Sequence, residues 1–176
     1  LGEEHVRVML VPMASGVLDN RMPAFATDFD QAGMLAQAEE LCPEGTILNL
    51  LPVLQSHKEE PIYYRTDHHW TTLGAYYGYE EWAESCGLTP YARDDFSEET
   101  VADDFYGTTH SKINLPVYPD SIIRYTPRSP IFYHLTFNLG EWESDSLYDE
   151  TKLEGKDKYS YFLGGNNPMV EITASS

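Results

Sequence analysis

Residues 64–71 read YRTDHHWT, and the elements predicted on either side of this stretch decide the fold. Before it, residues 6–11 and residues 46–51 are short runs rich in β-branched and apolar side chains, which predict two buried strands. A helix over about residues 30–41 is expected between them. Strands that alternate with helices are typical of an α/β fold with a mostly parallel sheet.

A further helix is predicted directly after the stretch. Thr71 or Thr72 can cap it, it runs to about Ser85, and Gly87 follows as a stop. Apolar and aromatic side chains recur there at helical spacing: Leu73, Tyr76, Tyr79, Trp82 and Ala83. This helix would hold residues 64–71 at the end of a structural element, which is where open α/β sheets present their active sites.

The second half of the chain has a less regular pattern. Residues 94–104 are acidic and are expected to be solvated. Residues 121–125 and 131–137 are strand candidates that could form a hairpin, and residues 169–172 could form a last short strand.

We therefore predict a single domain over residues 1–176. Its regular α/β part would cover residues 1–88, an irregular β-containing insertion would cover residues 89–160, and residues 161–176 would return to the core. The chain begins at Leu1 rather than Met, and a strand is predicted almost at once. These two features favour an incomplete fold, in which the chain is a fragment.

Charge and composition exclude several classes of partner. Eleven basic residues against 29 acidic ones give a net charge of −18, which would repel nucleic acid and anionic membrane surfaces. No apolar run approaches the roughly 18 residues of a membrane span. An acidic excess is typical of a soluble secreted or surface protein. Cys42 and Cys86 could form one bridge or remain as two buried free thiols.

Asp67 and His69 are the candidate catalytic residues. In an extended segment, side chains two positions apart project from the same face. A carboxylate beside an imidazole can hold the proton of one ring nitrogen and leave the other nitrogen to act as a base. The spacing therefore predicts a general base, His69, with its orienting residue, Asp67.

Two other interpretations of the same residues remain open. Asp67 could simply bind backbone amides at a helix start, with His69 as a packed side chain. Alternatively, Asp67 and one or both adjacent histidines could bind a metal, with His57 and His110 joining from a distance. Since His68 and His69 would point to opposite faces of an extended segment, the pattern disfavours a two-histidine metal clamp, and we predict no metal site and no cofactor.

Residues 64–71, followed by LGAYY at residues 73–77, resemble the signature of the DHHW protein family of Gram-positive bacteria. That family is similar to the SGNH hydrolases, and among them to the alginate O-acetyltransferase-like proteins. Weaker similarities occur at Val11-Pro12, at FYGT in residues 105–108 and at FLGGN in residues 162–166.

The resemblance implies a three-layer SGNH/flavodoxin-like fold, with His69 as the general base and Asp67 as its orienting residue. It also implies an oxyanion role for Asn166, next to Gly165, although a Gly-Gly-Asn-Asn turn is the structural alternative. Arg65 and Tyr64 could contact substrate, or they could be a salt-bridged arginine and a packed tyrosine.

The sequence shows no convincing nucleophile. The SGNH serine lies in a Gly-Asp-Ser-like turn, and the nearest matches here, Asp120-Ser121 and Asp145-Ser146, lack the glycine and are better interpreted as turn residues. Either the serine lies beyond residue 176, or the protein keeps the Asp/His segment without working chemistry. We expect these 176 residues alone to have little or no esterase activity.

The leading functional hypothesis is a secreted or cell-surface O-acyl esterase or O-acetyltransferase that acts on carbohydrate by way of a serine ester. An extracellular location in a Gram-positive bacterium follows from the resemblance. A non-catalytic glycan-binding or surface module is the alternative from a different class, and a metal-dependent hydrolase is the second alternative.

Overall fold

The computed structural model describes residues 6–175, which form two compact units. The first unit comprises the residues up to Tyr64 together with His68–Tyr91, and the second comprises Arg65–Asp67 together with the residues from Ala92 onward. Both units mix helices with small sheets. The division of a single domain into the segments 1–88, 89–160 and 161–176 stays a prediction.

The first unit follows the predicted alternation of strands and helices. In chain order it contains β1 (Val8–Leu10), α1 (Ala14–Val17), α2 (Gln31–Leu41), β2 (Ile47–Asn49), α3 (Leu51–Ser56) and α4 (Thr72–Ser85), with a short 3-10 helix at Asp19–Arg21. β1 and β2 pair in parallel, with Val8 opposite Ile47. Parallel neighbours need a crossover connection, and α2 lies within it.

Local signals place the helix ends of this unit. The Asp30 carboxylate accepts a hydrogen bond from Gly33 N at 2.9 Å at the start of α2. The Thr71 hydroxyl accepts one from Gly74 N at 3.3 Å at the start of α4. Caps of this kind satisfy amides that have no partner within the helix. The predicted α4 and its Thr71 cap are therefore confirmed.

The core of the first unit is apolar and rich in tyrosine. α4 packs against α3 and β2. The expectation that the first strand is buried was wrong, since Val8 of β1 is 41% exposed. The buried side chains include Val17, Leu35, Leu50, Leu54, Ile62, Tyr63, Tyr64, Leu73, Tyr76 and Tyr77.

The second unit is built mainly from antiparallel strands. It contains β3 (Phe96–Phe105), α5 (Thr108–Ile113), β4 (Asp120–Pro127), β5 (Phe132–Phe137), β6 (Trp142–Ser144) and β7 (Val170–Ser175), with 3-10 helices at Arg93–Asp95, Glu150–Glu154 and Lys158–Tyr161. β3 pairs with β4, and β5 lies between β6 and β7. Its buried side chains include Phe105, Ile122, Leu135, Phe137 and Tyr161.

The predicted mostly parallel sheet was wrong. Within residues 6–175, parallel pairing is confined to β1 and β2, and the pairings of β3–β4, β5–β6 and β5–β7 are antiparallel. The reason is connectivity: β5 and β6 are joined by a short turn, which permits only antiparallel pairing. Antiparallel strands can also leave one face in solvent, which accommodates the polar side chains of this half.

The second half differs from expectation in its strand pairing. The acidic segment was expected to be solvated and is largely exposed, and it also forms most of the ten-residue strand β3, whose end residue Phe105 is buried. The strand candidates at residues 121–125 and 131–137 do not form a hairpin, because β4 pairs with β3 instead. Charged side chains tolerate a strand when they face solvent, so the acidic composition did not indicate β3.

The remaining expectations concern thiols and membranes. Cys42 and Cys86 are both free, and Cys42 is half-buried while Cys86 is exposed, so the expected burial of two thiols was wrong. Within residues 6–175, none of the helices has the length and the hydropathy that a membrane crossing requires.

Gly74 marks the tightest approach in the first unit. A Cβ atom at this position would lie 2.4 Å from the carbonyl oxygen of Ile62, which is backbone and cannot move aside cheaply. We expect Gly74→Ala to lower the free energy of unfolding by about 1–3 kcal/mol. This loss would occur even though alanine alone favours a helix by about 1 kcal/mol. Denaturant unfolding measures the change.

The matched control is Glu84→Ala, at an exposed position of the same helix, which should leave stability nearly unchanged. A Gly74→Ala protein as stable as the parent would contradict the close approach.

Candidate functional site

The motif lies in a bent loop that backbone hydrogen bonds close at its base. Thr71 N donates to Ile62 O at 2.9 Å, and Tyr64 N donates to His69 O at 3.2 Å. Tyr63 and Trp70 form an isolated antiparallel bridge between the two sides of the loop. Residues 65–69 are bent, so the assumption of an extended segment was wrong.

The two histidines lie side by side. Their ring centroids are 3.9 Å apart, and the ring planes are tilted by 37°. The expectation that they point to opposite faces was therefore wrong, because the bent backbone removes the alternation that an extended strand would impose. His68 is exposed and His69 is half-buried.

Trp70 packs against α4. A Cβ atom at Gly78 would lie 2.9 Å from two atoms of the Trp70 ring, so a glycine at this helix position leaves room for the indole. Tyr63 adds a second attachment, since its hydroxyl donates to Pro12 O at 2.6 Å. Burial raises the pKa of the Tyr63 phenol, which keeps this donor protonated.

Asp120 holds the backbone just before the candidate orienting residue. Its carboxylate accepts hydrogen bonds from Arg65 N at 3.1 Å, from Thr66 N at 2.8 Å and from the Thr66 hydroxyl at 2.6 Å. Asp120 is buried at the start of β4. The sequence suggested a turn residue beside Ser121 rather than this role, and a lone aspartate before an apolar strand was the available signal.

Asp67 is buried, with 5% of its surface exposed, and Thr108 holds one of its oxygens. Asp67 Oδ2 accepts hydrogen bonds from Thr108 N at 2.7 Å and from the Thr108 hydroxyl at 3.0 Å. Asp67 thus binds a backbone amide at a helix start, as the structural alternative proposed, but the helix is α5 rather than α4. Thr108, like Asp120, was not identified from the sequence as part of this arrangement.

The neighbouring backbone approaches Asp67 closely. A Cβ atom at Gly107 would lie 2.3 Å from Cβ and from Oδ2 of Asp67, so a side chain does not fit there. His110 N also donates to Thr66 O at 2.9 Å, which attaches α5 to the same segment. The FYGT sequence at residues 105–108 therefore has a structural meaning that sequence similarity alone did not reveal.

A cleft of about 730 Å³ opens beside Asp67 within the second unit. Its lining comes from the end of β3, from α5 and from residues 154–158. Charged groups of both signs occur in it, and Lys158 Nζ lies 3.3 Å from Asp104 Oδ1. Near Asp67, burial and then the negative charge of that carboxylate raise the pKa of Tyr159.

The candidate substrate-contacting residues have the following placements. Tyr64 is buried with 5% of its surface exposed. The Arg65 guanidinium donates to Pro119 O at 2.6 Å and to Asp120 at 3.3 Å. Gly165, which has a φ of 111°, ends a turn in which its N–H donates to Phe162 O at 3.3 Å, and the following Asn166 is exposed.

The two serines considered as nucleophiles are both exposed. Ser121 lies on β4, directly after Asp120. The Ser146 hydroxyl donates to Tyr148 O at 3.0 Å in the loop that follows β6.

The tripeptide Asp67-His68-His69 is one cluster of potential metal ligands. Each residue offers one ligand atom, and these atoms lie within 4.8 Å of one another. The more distant histidines have other contacts: His57 Nδ1 lies 2.6 Å from Glu60 Oε1, and the His110 ring packs against Tyr106. The predicted absence of a metal site stays a prediction.

The role of Asp120 leads to a stability prediction. In Asp120→Asn, one carboxylate oxygen becomes an amide that faces N–H and O–H donors, so we expect unfolding to be easier by about 2–3 kcal/mol. Thermal unfolding of the purified variant measures the loss. Ser121→Ala changes the adjacent exposed residue and should leave the midpoint unchanged; equal stability of both variants would refute the role of Asp120.

Comparison with known proteins places these features in a family. The model of the family described as DHHW protein matches residues 37–176. Among solved structures, a DHHW family protein from Eubacterium siraeum superposes with a TM-score of 0.77 at 22% identity, covering 97% of this chain and 58% of that chain. No match occurs among curated proteins.

Two further structures share the fold at lower identity. Bacillus cereus PatB1, in a structure with a sulfonyl adduct, has a TM-score of 0.70 at 16% identity, covering 96% of this chain and 60% of that chain. The O-acetyltransferase domain of Pseudomonas putida AlgJ has a TM-score of 0.51 at 20% identity, covering 69% of this chain and 49% of that chain.

The likeness to PatB1 and to the AlgJ O-acetyltransferase domain shows that the chain shares their fold. The chain spans about three fifths of the length of the first two structures that it matches. The family match covers most of the chain and includes the Asp67-His68-His69-Trp70 motif. This chain belongs to the DHHW protein family.

Proposed function

We propose that the whole protein transfers or hydrolyses O-acyl groups on carbohydrate, with His69 as the general base and Asp67 as its orienting residue. The observation that carries this proposal is the buried Asp67 carboxylate, held at one oxygen by Thr108 and followed two residues later by His69. Family membership and the fold shared with an O-acetyltransferase domain support it. A three-layer SGNH arrangement for the whole protein is part of the same proposal.

The chemistry proceeds in two balanced steps. His69 removes the proton of a serine hydroxyl while the serine oxygen attacks the acyl carbonyl, and the departing alcohol takes the proton from the imidazolium. Water or a sugar hydroxyl then attacks the acyl-serine while its proton passes to His69, and the imidazolium returns that proton to the departing serine oxygen. Asp67 stabilises the charged ring during both transfers. The nucleophile of this mechanism is neither Ser121 nor Ser146.

The proposal extends to the surroundings of the reaction. The Asn166 side chain, beside Gly165, would donate to the oxyanion. Tyr64 and Arg65 have instead the contacts of a packed tyrosine and a salt-bridged arginine. An extracellular or cell-surface location is proposed for the same protein, and the net charge of −18 suits that setting.

The test uses the full-length protein with an activated acetyl ester as donor, with and without an oligosaccharide acceptor. We expect His69→Gln to reduce turnover by at least about 100-fold, because a positioned general base contributes about 10²–10⁴-fold. Asp67→Asn should also reduce turnover strongly, because the neutral amide of asparagine does not stabilise the positively charged imidazolium of His69.

His68→Gln is the matched control, because it changes the adjacent and more exposed histidine. It should retain turnover within about threefold of the parent. Equal losses in the His68 and His69 variants would refute the assigned roles. Unchanged turnover in the His69 variant would refute the role of His69. Absence of turnover in the parent protein, together with oligosaccharide binding, would favour the glycan-binding module.

A metal-dependent hydrolase is the second candidate, because the ligand atoms of Asp67, His68 and His69 lie within 4.8 Å of one another. The two candidates differ in their response to chelation. If the acyl-transfer proposal holds, dialysis of the full-length protein against EDTA leaves acetyl-ester turnover unchanged. Loss of turnover with EDTA, restored by Zn²⁺ and accompanied by one bound metal per chain, would decide for the metal mechanism.

A further inference from the structure

Thr108 donates two hydrogen bonds to the Asp67 carboxylate, a role that the family resemblance did not suggest for this residue. Both donors of this residue, its backbone amide and its hydroxyl, point to the same oxygen, Oδ2, at 2.7 and 3.0 Å. Two donors from one residue restrict both the position and the rotation of a carboxylate. Hydrogen bonds to an ionised acceptor are also stronger than neutral ones. Thr108 therefore holds Asp67 in a defined orientation.

The surrounding backbone supports this orientation from both sides. Gly107 lies so close to Asp67 that a Cβ atom would be 2.3 Å from its Oδ2, which brings the next amide within reach of that oxygen. The Thr66 hydroxyl accepts a hydrogen bond from Gly107 N at 3.1 Å, and Thr66 O accepts one from His110 N at 2.9 Å. The residues on both sides of Thr108 are thus attached to Thr66, which directly precedes Asp67.

Backbone and side chain make separable contributions here. Any residue at position 108 other than proline would supply the amide, whereas the hydroxyl requires threonine or serine. Holding Oδ2 at Thr108 also fixes the orientation of the carboxylate as a whole. A fixed orientation is what a general base needs from its orienting carboxylate.

We propose that Thr108 is a positioning residue, whose hydroxyl and amide fix the Asp67 carboxylate so that it can orient His69. The inference rests on the proposed function, since it assigns Thr108 a part in the same acyl transfer. Thr108 itself acts through Asp67 and takes no part in bond making. It also links that carboxylate to the cleft, since both residues line the cleft beside α5.

The test compares three variants of the full-length protein in acetyl-ester turnover. Thr108→Val keeps the shape but removes the hydroxyl, and we expect kcat to fall by about 10–100-fold with little change in KM, the effect of a small misplacement of catalytic groups. Thr108→Ser restores the hydroxyl and should recover most of kcat. Thr109→Val makes the same change at the neighbouring residue and should behave as the parent protein does.

A double-mutant cycle separates positioning from general destabilisation. In the Asp67→Asn background, Thr108→Val should cause no further loss, because the group that it positions is already impaired. A crystal structure of Thr108→Val should show the Asp67 carboxylate rotated away from its original orientation. If Thr108→Val does not fold, Thr108→Ala removes the same hydroxyl with less apolar bulk and takes its place.

The outcomes distinguish this inference from the proposed function. Full turnover in Thr108→Val, together with large losses in Asp67→Asn and His69→Gln, overturns the role of Thr108 alone. Full turnover in Thr108→Val, in Asp67→Asn and in His69→Gln overturns the proposed function. Equal losses in Thr108→Val and Thr108→Ser also overturn the inference, since the hydroxyl would then not be the group that matters.

Discussion

The carboxylate of Asp120 holds the backbone of Arg65 and Thr66, and the arrangement around Asp67 depends on this contact. Thr66 N and the Thr66 hydroxyl both donate to Asp120 Oδ2, and Thr66 in turn bonds Gly107 and His110. These contacts restrict the backbone of Thr66 and therefore the position of the residue that follows it. Because Asp67 follows Thr66 directly, it is brought against Gly107 and Thr108, where a buried carboxylate finds donors instead of water.

The two aspartates differ in their partners. Asp120 accepts from two backbone amides, a hydroxyl and the Arg65 guanidinium, which suits a purely structural role. Asp67 accepts from the amide and hydroxyl of Thr108, both neutral donors, at a single oxygen. A carboxylate held in this way is fixed in position and rotation by neutral donors. Such an arrangement suits a group that must stabilise a positive charge appearing only during a reaction.

Local patterns predicted much of the first unit and little of the second. The helix α4 was predictable, because its aromatic spacing and its Thr71 cap act within one element. Pairing in the second unit was not predictable. β3 is a largely exposed strand in which four of the ten side chains are acidic, and its partner, β4, is separated from it by α5. Strand pairing depends on contacts between distant residues, and a one-dimensional pattern contains no direct record of them.

The sequence by itself determined the candidate residues Asp67 and His69, because two chemically complementary groups in a family signature can be recognised without coordinates. Only the tertiary structure decided what surrounds them. Asp120 and Thr108 lie 54 residues from Thr66 and 41 residues from Asp67, respectively, so no local pattern connects them. The bent loop likewise depends on backbone hydrogen bonds, which put the two histidines side by side rather than on opposite faces. The burial, orientation and hydrogen bonding of these side chains depend on contacts between segments that are distant in the sequence, and these contacts form only in the folded chain.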